Sequence, residues 1–75
     1  MSGGEYAVIL VHSTSHAMHL EKLLGRRGIP CKMIPVPRQI SSDCGVCIRI
    51  PRVHAGAARE TVETAGIEIQ KIVDV

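Results

Sequence analysis

Apolar positions are first crowded together in this chain and then spaced out. Glu5 to Val11 is a short run of β-branched and aliphatic residues, too short for a buried helix, and predicts a strand. Beyond it Ala17, Leu20 and Leu24 recur at intervals of three and four, with Leu23 widening the stripe, which predicts an amphipathic helix. Ser13 or Thr14 can cap its free amides, Arg26 and Arg27 suit its carbonyl end, and Gly28 supplies the left-handed residue that ends it. Ile29 to Val36 predicts a second strand, at a sheet edge because Pro30 and Pro35 have no amide hydrogen for a ladder. From Cys44 or Gly45 onward, Val46, Ile48 and Ile50 alternate with Cys47 and Arg49, as in a half-buried strand that Pro51 stops. A second helix is predicted within Val53 to Ala65, burying Ala55, Ala58 and Val62 and ending at Gly66. Ile67 to Val73 completes the pattern as a strand, with Ile72 out of phase and hence a bulge or fray near Lys71.

The two halves resemble each other at an offset of 38, which carries Val8 to Val46, Leu10 to Ile48, Ala17 to Ala55, Leu20 to Ala58, Leu24 to Val62, Gly28 to Gly66, Ile29 to Ile67 and Ile34 to Ile72. Two right-handed βαβ halves give βαββαβ, with the first strand of each half central and the second at an edge. The predicted fold is therefore α+β and ferredoxin-like, a two-layer sandwich of a four-stranded antiparallel sheet with two helices on one face. The first strand is apolar on both faces, so the face without helices needs a cover. A homodimer or a partner protein is the expected one.

Composition narrows the function. Seventy-five residues suffice for one domain, residues 1–75, with the ordered core at 5–73. Tyr6 is the single aromatic residue and the net charge is only +2, so base-stacking platforms and a strong phosphate-attracting field are both missing, and no nucleic-acid partner is expected. The longest apolar run, Ala7 to Val11, is far below the roughly 20 residues of a membrane span. No secretory signal pattern opens the sequence, and a cytoplasmic location is expected. There, three cysteines read as thiol chemistry, metal or inert core rather than as a disulfide frame.

Candidate chemistry concentrates in the connection between the halves. Residues 36–44 form a linker longer than compact domains usually use, and such loops are often functional. Pro35 and Pro37 stiffen its entry, Ser41, Ser42 and Asp43 offer turn hydrogen bonds, and Gly45 leaves the sulfur of Cys44 open to another molecule. Arg38 would favour an anionic sulfur if the loop folds back, and Asp43 would oppose it. Cys44 and Cys47 form a C-x-x-C, but on a strand residues three apart face opposite sides, which disfavours both a dithiol couple and a Cys44/Cys47 metal site. Cys31, beside Pro30, reads as an inert half-buried thiol. His12, His16 and His19 cluster around the start of the first helix without a carboxylate or cysteine nearby to complete a zinc set. No phosphate loop, nucleophile elbow or carboxylate pair is present, and no cofactor is expected.

Ser13-Thr14, Gly28-Ile29-Pro30 and above all Pro35-Val36-Pro37-Arg38 with Ile40-Ser41-Ser42-Asp43-Cys44-Gly45 resemble the selenium/sulfur carrier protein-like family of small bacterial and archaeal domains, over roughly residues 5 to 73. The resemblance implies that Cys44 is the thiol that takes up sulfur or selenium as a persulfide or perselenide, with Arg38, Ser41, Ser42 and Gly45 as its surrounding block. It implies as partners a chalcogen donor, such as a cysteine desulfurase, and an acceptor enzyme, in a carrier without turnover of its own. The chain lacks the C-P-x-P helix start of the TusA-type carriers, and Cys47 stands where the family more often has a small or aliphatic residue. The alternatives are a ferredoxin-like interaction or ligand-binding module with a structural Cys44, and a metal-binding module through Cys44 and Cys47.

Overall fold

A computed structural model describes residues 5–40 and 44–75. Along the chain run strand β1 (Tyr6–Leu10), helix α1 (Thr14–Arg26), strands β2 (Lys32–Pro35) and β3 (Val46–Pro51), a 3-10 turn (Arg52–His54), helix α2 (Ala55–Ala65) and strand β4 (Lys71–Asp74). The strands form one antiparallel sheet in the order β2-β3-β1-β4, so the first strand of each half is central, as the ferredoxin-like reading requires. The edge strands are shorter than expected. β2 begins only at Lys32, because Ile29 closes the helix before it and Pro30 has no ladder donor. β4 begins only at Lys71, so the phase change at Ile72 is no bulge: Ile67 and Ile69 precede the strand and pack on the core from a connecting loop. Pro51 ends β3 from within it, paired with Tyr6, and Val53 belongs to the 3-10 turn rather than to α2.

Both helices end by one mechanism. Gly28 at φ 73° and Gly66 at φ 71° adopt the left-handed conformation that a side chain resists. Immediately after them, the Ile29 amide donates to the Leu24 carbonyl at 3.0 Å and the Ile67 amide to the Val62 carbonyl at 3.1 Å. Each bond satisfies a carbonyl of the last turn and directs an isoleucine back toward the core, where Ile29 is buried and Ile67 half-buried.

The sheet has two apolar faces. Toward the helices, Ala7, Ile9, Val11, Ile48 and Ile50 meet Ala17, Leu20, Leu24, Ala58 and Val62 in the main core. The opposite face holds a smaller cluster of Val8, Leu10 and Cys47, all fully buried. Ile34 and Val73 flank it from the edge strands, and Val36 and Ile40 of the linker pack over it. At this end of the sheet the chain thus covers its own second face, removing part of the apolar surface from which a homodimer was expected.

The internal repeat needs a correction. At an offset of 38 the helices superpose in function, Leu20 with Ala58 and Leu24 with Val62, all in the main core. The strands do not: Val8 and Leu10 lie in the small cluster, whereas Val46 and Ile48 face the helices. Ile34 and Ile72 are split in the same way. Side chains alternate across a strand, so a one-residue slip exchanges its faces. The offset that keeps faces is 39, pairing Ala7 with Val46, Ile9 with Ile48 and Val8 with Cys47.

Candidate functional site

The site begins with strand register. Leu10 stands opposite Cys47, so continuing the antiparallel step three residues backward along β3 brings Cys44 level with Ser13, the residue before α1. Accordingly, Thr14 Oγ1, in the first turn of α1, lies 3.7 Å from Cys44 Sγ. Either group can donate when the thiol is neutral, and the hydroxyl donates when the sulfur is anionic. Ser13 caps the same turn: its Oγ accepts from the His16 amide at 3.2 Å and lies 2.8 Å from His16 Nδ1. No acidic residue occupies the first turn of α1, so nothing there offsets the positive end of its dipole facing the sulfur.

Cys44 is half-buried, resting against the rim of the main core. Gly45 beside it is exposed. Neither a left-handed backbone nor crowding requires glycine at that position, since a Cβ there would meet nothing within 4 Å. What glycine does there is keep the approach to the sulfur open. The Val36 amide donates to the Gly45 carbonyl at 3.1 Å and ties the two ends of the linker together. Between them, a turn closed by the Ile40 amide on the Pro37 carbonyl at 3.0 Å carries Arg38 on its exposed corner. Ser41, Ser42 and Asp43 lie outside the described residues.

The remaining candidates separate. Cys47 points away from Cys44 into the small cluster, and burial, followed by the charge of Cys44, pushes its thiol above the ordinary value. Cys31 sits beyond the start of β2 with its Sγ 3.7 Å from the Glu21 carbonyl, and burial, followed by the Glu21 charge, raises it too. All three cysteines are free thiols. Among the described residues no group of three or more His, Cys, Asp or Glu gathers as metal ligands, and His12, His16 and His19 do not converge on one. Nor is any helix of the described residues long and apolar enough to cross a membrane.

Sequence reasoning missed Thr14 as the neighbour of Cys44. The signal was available in the topology: an antiparallel β1–β3 pair sets the start of β3 beside the end of β1, and therefore beside the start of the helix that follows β1.

The family model described as "Putative Se/S carrier protein-like" matches residues 5–74. No curated protein and no solved structure matches the chain.

Proposed function

Since the chain belongs to the Se/S carrier protein-like family, we propose that it is a chalcogen carrier whose working atom is Cys44 Sγ. The observation that carries this reading is the setting of that atom: a half-buried sulfur beside the Thr14 hydroxyl at the start of α1, next to a glycine that no backbone constraint demands. In the loading step the Cys44 thiolate attacks the outer sulfur of a donor persulfide. An S–S bond forms at Cys44, the donor's S–S bond breaks, and the donor leaves as its thiolate. Delivery is the same exchange run toward an acceptor nucleophile. A perselenide transfers in the same way, and neither step needs a general acid or base from the protein. The Thr14 hydroxyl and the start of α1 favour the anionic sulfur at both stages. Cys47, buried on the other face, takes no part.

Intact-protein mass spectrometry after incubation with a cysteine desulfurase and cysteine tests the proposal. The parent chain, Cys31→Ser and Cys47→Val are expected to gain one sulfur that a reductant removes, whereas Cys44→Ser gains none. Loading retained in Cys44→Ser, or absent from a folded parent chain, would sink the carrier reading and leave the interaction module as the better account.

A further inference from the structure

A second site stands at the other end of β3 and does not depend on the carrier reading. Lys32 of edge strand β2 is the direct cross-strand partner of Arg49 on β3, and Arg49 is in turn opposite Val8 on β1. Cross-strand partners share a face, so two cations project side by side from the face away from the helices. Like charges directly opposite each other destabilise a sheet. Here nothing relieves them: among the described residues neither has a carboxylate partner. Glu21, whose charge reaches Cys31 at the neighbouring rim, stands on α1 across the sheet. The Arg49 guanidinium is held in place by the ring of Tyr6, 4.5 Å from its centroid. Around this pair lies a groove of about 240 Å³, walled by Tyr6, Pro30, Cys31, Lys32, Arg49 and Pro51.

We infer that this groove binds a small oxyanion, a phosphate or carboxylate group, between Lys32 and Arg49. A fixed planar guanidinium offers paired donors to two oxygens, and the neighbouring ammonium adds a movable point charge. An anion seated there turns the repulsion between the two cations into attraction for a shared ligand. Tyr6, Pro30 and Pro51 give the groove walls that suit the carbon skeleton of an organic anion, and its volume limits the ligand to metabolite size.

The test is titration of the isotope-labelled full chain with inorganic phosphate, and separately with citrate, followed by amide NMR at constant ionic strength. Saturable shifts confined to Tyr6, Cys31, Lys32 and Arg49 are expected with at least one of them, and the tighter ligand tells phosphate from carboxylate. Lys32→Gln, on an exposed side chain that folding does not need, is expected to weaken binding by about tenfold, the worth of one charge-assisted contact. Arg49→Gln should do the same. Lys71→Gln, on the same face but opposite Leu10 on β4, should change affinity by less than about twofold. Shifts that never saturate in the parent chain, or equal weakening by Lys71→Gln, would show only diffuse attraction to basic residues and overturn the inference. Sulfur loading at Cys44 is read by mass and is independent of either result.

Discussion

The two halves of the molecule finish their helices alike and begin them differently. Gly28 and Gly66 share one backbone conformation, and Ile29 and Ile67 share one hydrogen bond back into the last turn. The starts have little in common. α1 opens on a serine whose hydroxyl holds the first turn, with Thr14 turned to a thiol from the other half; α2 grows out of a 3-10 turn, and His54 before it makes no side-chain cap. Strand positions divide likewise. Cys47 occupies the place that Val8 occupies in the first half, both fully buried in the small cluster, whereas Cys44 lies before β3 at the one helix start that has a side-chain cap. What the halves share buries apolar side chains, and what they do not share is the site.

The comparison can be broken most sharply at Cys47. If it is a core residue equivalent to Val8, Cys47→Ser buries a hydroxyl among aliphatic side chains and should cost about 1–3 kcal/mol in urea unfolding. Cys47→Val should cost less than about 1.5 kcal/mol. Cys44→Ser, at the half-exposed site, should change stability by about 0.5 kcal/mol or less. A near-neutral Cys47→Ser would dissolve the equivalence. The shared helix ends come next: Gly28→Ala and Gly66→Ala should each cost about 1–2 kcal/mol. The two values should agree closely, because at neither position would the added methyl touch a neighbour. A smaller difference is expected at the helix starts. Ser13→Ala should lose about 1 kcal/mol, whereas His54→Ala, with no cap to remove, should lose almost nothing by thermal melting. Last is pH. The folded state keeps the Cys31 and Cys47 protons above the pH, about 8.5, at which the unfolded chain releases its own. The unfolded state then binds fewer protons than the native one, so stability is full below that pH and falls as pH rises above it. Cys47→Val should flatten the fall in melts compared between neutral and alkaline buffer.

Element types and their order were legible because each rests on a local rule. The 3.6-residue spacing of Ala17, Leu20 and Leu24 and the glycine after each helix mark α1 and α2 without any tertiary knowledge. The face of each strand was harder to read. β1 is apolar at every position, so its alternation carries no sign, and the match of Val8 with Val46 chose the wrong face. β4 was overextended because Ile67 and Ile69 are β-branched and alternate, although they pack from a loop. At the site, the thiol and its glycine were visible as a motif. Its neighbour Thr14, 30 positions away in sequence, became visible only through the β1–β3 register.

The bond from the Val36 amide to the Gly45 carbonyl pinches the linker shut at its base, and Cys44 is at that base rather than at the tip. Val36 and Ile40 are meanwhile pinned over Val8, Leu10 and Cys47. A carrier so built has no swinging arm. Drawing the thiol outward would unroof the small cluster and re-expose apolar surface to water, so on the carrier reading both donor and acceptor must bring their reacting atoms to a stationary post at the head of α1. The partners' own shapes, more than the reach of this chain, would then decide which of them can exchange sulfur with it.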